Sequence, residues 1–321
     1  MPAEHPLVSI VSPVYQEEEG IEEFHRRLVA AMEGIDDLAF EVVYVNDGSK
    51  DRSLDLLEKI AADDGRVRVV DLSRNFGHQV ALSAGVDHAV GDAVVVIDSD
   101  LQDPPEVIPE MIQRWRDGFK VVYGVRISRA GETRFKLLTS KIYYGLMDRI
   151  SEVPLPHQAG DFRLLDRKVV DVLDQMPERN RYVRGMVAWV GFPQCAVEYE
   201  RDPRFAGSTN YTLARMVRLA LDGLTSFSDR PLRLATQLGV IVMALSFAVA
   251  GWTIIASLFN IGSTSRGWSS LMAVMLLLGG VQLLCIGVLG EYLGRVYRET
   301  KGRPLYVVNE VIGPEGRDDT T

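Results

Sequence analysis

The sequence predicts an α/β domain built on a mostly parallel sheet, followed by two C-terminal transmembrane helices. Three observations predict it. Residues 7–125 alternate strand-length apolar runs with helical patterns, the signature of a sheet with helices on both faces. Val94 to Ile97 is a continuous apolar run of β-branched residues that leads straight into Asp98 and Asp100. Leu234–Phe259 and Ser269–Gly290 are almost uninterrupted apolar runs, each longer than the roughly 18–20 residues that cross a bilayer.

The strands are expected at Leu7–Pro13, Phe40–Asn46, Val67–Leu72, Ala93–Ile97 and Val121–Tyr123. Helices fit near 18–34, 51–63, 77–89 and 104–117, the last opening on Pro104-Pro105, where proline suits a first helical turn. Ligands of such a sheet sit beyond the C-terminal ends of its strands. From 126 to 230 the pattern is less regular. Phe135, Leu138, Ile142, Tyr143, Leu146 and Ile150 follow helical spacing, as do Leu213, Met216, Val217, Ala220, Leu221 and Leu224. Both stretches interleave with basic residues, so they read either as helices packed on the core or as helices lying at a membrane surface.

Composition bounds the partners. The chain has 321 residues, 47% hydrophobic and 25% charged, so a polar domain is joined to strongly apolar segments. A net charge of −9 argues against nucleic acid as the main partner. The two cysteines, Cys195 in a strand-like stretch and Cys285 in an apolar run, point to neither a disulfide nor a zinc site. Met1 to Pro6 has no apolar core, so no cleaved signal peptide is expected. Arg230 and Arg233 precede the first apolar run, and Arg295, Arg298, Lys301 and Arg303 follow the second, whereas the loop between carries Arg266 alone. The positive-inside rule then puts the polar domain and the C-terminus in the cytoplasm, on a multi-pass protein of the cytoplasmic (inner) membrane. Glycines at 279, 280, 287, 290 and 294 form a small-residue face compatible with a homo-oligomer.

Neither a Walker A sequence nor a G-x-G-x-x-G after the first strand is present, so the common phosphate and dinucleotide loops are missing. Three strand ends carry polar chemistry instead: Ser12-Pro13-Val14-Tyr15-Gln16-Glu17-Glu18, Asn46-Asp47-Gly48-Ser49-Lys50-Asp51, and the Asp98/Asp100 pair. Taken singly, Asp47-Gly48-Ser49 is a turn and helix cap, and Glu17 and Glu18 are first-turn acids favoured by the helix dipole. Carboxylates at the end of a buried strand are costly unless something positive meets them. A hard divalent cation, Mg²⁺ or Mn²⁺, carrying a nucleotide diphosphate suits that position.

In order and spacing, Pro13-Val14-Tyr15-Gln16-Glu17, Asn46-Asp47-Gly48-Ser49 and Asp98-Ser99-Asp100 resemble the motifs of family 2 glycosyltransferases, which have the Rossmann-like GT-A fold. More narrowly, the chain resembles the polyprenyl-phosphate glycosyltransferases. That match rests on Ser73-Arg74-Asn75-Phe76-Gly77-His78, Asp98 through Glu106, Gly160-Asp161-Phe162-Arg163-Leu164 and Arg204-Phe205-Ala206-Gly207-Ser208. The resemblance implies a GT-A domain over 1–210, an interfacial helix over 211–230, a transmembrane hairpin over 231–292 and a cytoplasmic tail over 293–321. It implies inverting, metal-dependent transfer of a sugar from a nucleotide-sugar to a polyprenyl phosphate. UDP-glucose is the first choice of donor and GDP-mannose the second.

The resemblance also assigns residues. Pro13, Tyr15, Glu17, Asp47 and Asp98 would line the nucleotide-sugar pocket. Asp100 would be the main metal ligand, with the side-chain oxygen of Gln102 beside it. Arg126, Lys136, Ser140 and Arg201 would meet the lipid phosphate. Arg204, ahead of the Gly207-Ser208 turn, would close over the donor, although Ser208-Thr209-Asn210-Tyr211 lacks the lysine common in the family. Asp98, Asp100, Asp161 and Arg204 form the catalytic set. Asp161 corresponds to a family acid assigned as base or acceptor-site residue. A phosphate monoester has a second pKa near 6 and needs little deprotonation, so Asp161 is expected to orient the acceptor. The purely structural alternative is a buried aspartate bonded to Arg163.

A processive polysaccharide synthase on the same fold would carry a Gln-x-x-Arg-Trp motif, which is absent. A membrane-anchored binding module that had lost catalysis would not be expected to keep Glu17, Asp47, Asp98, Asp100 and Asp161 together.

Overall fold

A computed structural model describes residues 5–127, 159–176, 178, 181, 183–200, 230–259 and 268–314. Lys136, Ser140, Arg201 and Arg204, with both amphipathic stretches at 135–150 and 213–224, lie outside the described residues. The chain divides into two compact units, one holding a sheet and its helices and one holding two long helices.

The sheet has eight strands: β1 Leu7–Val14, β2 Ala39–Asn46, β3 Val67–Leu72, β4 Ala93–Val96, β5 Val121–Arg126, β6 Ala159–Asp166, β7 Gln194–Tyr199 and β8 Val308–Ile312. Their order is β7-β5-β6-β4-β1-β2-β3-β8. The central strands β4, β1, β2 and β3 are parallel, as their continuous apolar runs require of strands covered on both faces. The sheet is nonetheless mixed. β6 runs antiparallel between β4 and β5, and β8 pairs antiparallel with β3. Thus the segment expected as a tail returns an edge strand to the sheet.

Helices cover both faces. α1 Ile21–Glu33, α2 Ser53–Asp63 and α4 Ile108–Arg116 bury Phe24, Leu28, Leu57 and Met111 in a cluster with Val8, Ile10 and Tyr44. On the other face α3 His78–His88, α5 Arg167–Asp174 and α6 Val183–Val190 bury Leu82, Val170 and Met186 against Val11, Val45 and Val94. A side chain at Gly85 would collide with Val11 and Val45, so this glycine lets α3 lie close on β1 and β2. Pro104-Pro105 opens a short 3-10 turn, Pro105–Val107, ahead of α4.

In the second unit, the two apolar runs each form a helix, α7 Arg230–Leu258 and α8 Trp268–Thr300. The Cys285 Sγ–H lies 3.6 Å from the Ala235 carbonyl oxygen, in contact across the pair. Large apolar side chains such as Phe247 and Leu283 point outward, each 72% exposed. Among the described residues, one stretch, Leu277–Thr300, is long and apolar enough by length and composition to cross a membrane; the apolar stretch Ala235–Val249 of α7 is shorter.

Candidate active site

β1, β2, β4, β5 and β7 end on one rim, where antiparallel β6 begins. Register explains the meeting of distant motifs. Val96 pairs with Arg163, and continuing that register two residues brings Asp98 level with Asp161.

Asp98 ends the apolar run of β4. Its Oδ1 is buried without a hydrogen-bond partner and lies 3.4 Å from His78 Nε2. Burial pushes the Asp98 carboxyl up to about 6, against the pull of His78 and with the push of the Asp161, Asp103 and Asp100 charges. Asp100 accepts the Gln102 backbone N–H at 3.1 Å. Between them Leu101 holds a φ of 59°, uncommon for a residue with a side chain, and is 2% exposed. The anchored leucine fixes the turn that carries Asp100 and Gln102. Ser99 donates its hydroxyl to the Pro13 carbonyl at 3.0 Å, tying this turn to β1.

Asp161 is 7% exposed, and its carboxylate is heavily bonded. Arg184 donates Nε at 2.8 Å to Oδ1 and Nη2 at 3.1 Å to Oδ2, and Gln79 Nε2 reaches Oδ2 at 3.0 Å. His78 Nε2 stands 3.4 Å from the same Oδ2. Burial would raise this carboxyl, but His78 and Arg184 outweigh it and hold it well below the usual carboxylate range. Arg163 meets backbone carbonyls of Gly160 and Asp161. Among the described residues His78 and Arg184 contact the Asp161 carboxylate, and the charge of Arg163 adds to theirs. Burial lowers His78, yet its contact with Asp161 and the charges on Asp98 and Asp161 raise it to about 9.

Arg126 ends β5. Its Nη2 is 3.3 Å from Asp103 Oδ2, and its Nε donates to the Tyr199 hydroxyl at 3.1 Å. Tyr199 in turn donates to Asp103 Oδ1 at 2.6 Å. Asp103 is 1% exposed, so this triad seals the β5–β7 corner of the rim.

On the β1–β2 side, Pro13 is buried in β1, Tyr15 is exposed and Glu17 is half-buried. Asp47 accepts the backbone N–H groups of Phe76 at 2.6 Å and Gly77 at 2.9 Å. Burial raises its carboxyl and those N–H bonds offset the rise. Gly48, at φ 64°, lies so close to the Arg74–Asn75 peptide that a Cβ would come within 2.5 Å of it. The Asn46–Ser49 turn and the Ser73–Gly77 loop are thus one packed body, and that body sets where α3 starts and where His78 points.

The structure brings Asp98, Asp100 and Asp161 to one rim with Pro13, Tyr15, Glu17, Asp47, Gln102 and Arg126. It adds His78, Gln79, Arg184, Asp103 and Tyr199. His78 stood inside a quoted motif without a role. Nothing local marks Arg184, which reaches the site only through the packing of α6.

The donor set accommodates a cation shared with a ligand. Among the described residues no cluster of three His, Cys, Asp or Glu is arranged for metal. A magnesium-type ion needs only one or two carboxylates when diphosphate oxygens and water complete its shell, and Asp100, on the turn at the end of β4, offers one.

Sequence comparison agrees. Residues 9–173 match the model of glycosyl transferase family 2. The chain belongs to that family. Residues 230–296 match the GtrB C-terminal hairpin, so both units of this glycosyltransferase have counterparts. It is 49% identical over 313 residues to the uncharacterized glycosyltransferase YkcC of Bacillus subtilis, covering 98% of this chain and 96% of that protein. It is 42% identical over 304 residues to the prophage bactoprenol glucosyl transferase homolog of Escherichia coli, covering 95% and 99%. The bactoprenol glucosyl transferase of Shigella phage SfX is 43% identical over 301 residues, covering 94% and 98%.

Proposed function

We propose that this enzyme transfers glucose from UDP-glucose to a polyprenyl phosphate, with inversion at the anomeric carbon, forming a lipid-linked monosaccharide for cell-envelope glycans. The observation that carries the reading is the 42–43% identity to bactoprenol glucosyl transferases over both the transferase domain and the hairpin. The hairpin α7–α8 spans the cytoplasmic membrane, with the basic residues at its two ends on the cytoplasmic side. Such anchoring has a physical reason. A polyprenyl chain leaves the bilayer at a cost of about 0.8 kcal/mol per CH₂, so the enzyme must come to the lipid.

The nucleotide lies over β1 and β2, bounded by Pro13, Tyr15, Glu17 and the loop that Asp47 holds. Asp98 faces the donor sugar. Asp100, with Gln102, holds Mg²⁺ or Mn²⁺, which when bound offsets charge on the departing diphosphate. Arg204 closes over the donor, and Lys136, Ser140 and Arg201 line the way to the lipid phosphate. Arg126 supports that side through Asp103 and Tyr199. Asp161 orients the acceptor. With its carboxylate held ionised by His78 and Arg184 it is a weak base, and an ionised phosphate does not need one.

Incubating the purified protein with radiolabelled UDP-glucose, undecaprenyl phosphate and Mg²⁺ or Mn²⁺ tests the reading. Chloroform-soluble monoglucosylated lipid, lost on chelation, is expected. A polymer, or label transferred only from GDP-mannose, would refute the acceptor or the donor respectively.

A further inference from the structure

His78 has no role of its own in the proposed function, although it stands between two of its acids. Its Nε2 is 3.4 Å from both Asp98 Oδ1 and Asp161 Oδ2, and its side chain is 45% exposed at the rim. Asp98 Oδ1 has no hydrogen-bond partner, so its contact with His78 is one of charge. Both oxygens of Asp161 are already taken by Arg184 and Gln79. That carboxylate therefore acts on an incoming group through its partners, of which His78 is the more exposed.

Charge makes the position matter. A phosphate monoester near −2 must approach a rim that carries Asp98, Asp100 and Asp161. Arg184 offsets Asp161 through a two-point contact. Arg126 is occupied by Asp103 and Tyr199. Among the described residues, the group that stands beside Asp98 and reaches the open rim is the His78 imidazole. α3 begins at His78 and has no side-chain cap, so the positive end of the helix adds to the imidazole at the same place.

We infer that His78 is a further ligand of the acceptor's phosphate, taking one of its oxygens at Nε2 beside Asp98 and Asp161. The inference rests on the proposed polyprenyl-phosphate acceptor but is tested by binding, apart from transfer.

The probe is farnesyl phosphate, a short soluble phosphate monoester, titrated into the full-length protein by calorimetry, with UDP and Mg²⁺ titrated separately. His78→Gln is expected to weaken farnesyl phosphate about tenfold or more, with UDP affinity within about twofold of the wild type. His78→Lys, which restores a cation, recovers most of the loss. Three results would overturn the assignment: no farnesyl phosphate binding by the wild type, unchanged binding in His78→Gln, or an equal loss of UDP affinity. The last would assign the imidazole to the donor diphosphate or to the fold. Wild-type binding that depends on His78 without any sugar transfer would refute the proposed function and leave this inference standing.

Discussion

The two halves of the rim satisfy their acids differently. On the β1–β2 side the partners are backbone N–H groups: Asp47 takes those of Phe76 and Gly77, Asp51 those of Glu18 and Ser53, and Glu18 that of Arg52. On the β4–β6 side, Asp100 with its Gln102 N–H excepted, the partners include side-chain cations: His78 at Asp98, His78 and Arg184 at Asp161, Arg126 at Asp103. Backbone partners build rigid loops and leave little charge to spend on a ligand. Side-chain partners can turn to a ligand when it arrives. The first half is therefore a shaped wall, and on the proposed function the second is where charge would move during transfer.

Substitutions should divide along that line. The largest effect is expected at Asp100→Ala: sugar transfer falls on the order of 10²–10³-fold, the scale of one lost electrostatic contact in an active site, with the melting temperature nearly unchanged. Asp161→Asn should lower kcat by less than about 100-fold, below the usual range for loss of a general base, and the deficit should be the same from neutral to alkaline pH. Recovery at high pH would make Asp161 a base and erase the distinction between orienting and proton-moving acids. Asp47→Ala acts through shape. It strands the Phe76 and Gly77 N–H groups, so thermal or urea unfolding should show a loss of about 1–3 kcal/mol, with a smaller loss of transfer than at Asp100.

The smallest effect on activity belongs to an acid away from the rim. Asp166 caps α5 at the Lys168 N–H and takes bonds from Lys120 and Trp115. Burial would raise its carboxyl, but Lys120, Trp115 and the cap hold it low. A lowered folded value contributes stability above the ordinary carboxylate range and loses it as pH falls below about 4. Asp166→Ala should therefore cost about 1 kcal/mol or somewhat more at pH 7, lose that difference in acid, and leave transfer intact.

Much of this architecture was legible in the sequence, for identifiable reasons. β1 through β5 are apolar runs bounded by polar turns, and α1, α2 and α4 show 3.6-residue spacing, whereas α3 buries the continuous run Ala81 to Val86. β6 was not read as a strand because Gly160, Asp161 and Arg163 interrupt its apolar pattern. β8 was missed because an edge strand with exposed Glu310 and Val311 needs no continuous apolar run. Asp47, Asp98 and Asp100 were found because they follow strand ends, and Asp161 through its resemblance to a family motif. Their partners were not, since His78 and Arg184 meet Asp161 only through the β4–β6 register and the packing of α6.

The central claim is that the β4–β6 half of the rim transfers sugar to a membrane lipid phosphate. The most direct measurement is lipid-linked glucose formed from UDP-glucose and undecaprenyl phosphate by the wild type and by Asp100→Ala and Asp47→Ala, side by side. The account predicts monoglucosylated lipid with the wild type, near-complete loss with Asp100→Ala and a partial loss with Asp47→Ala. No lipid product from the wild type, or equal activity of Asp100→Ala and wild type, would contradict it.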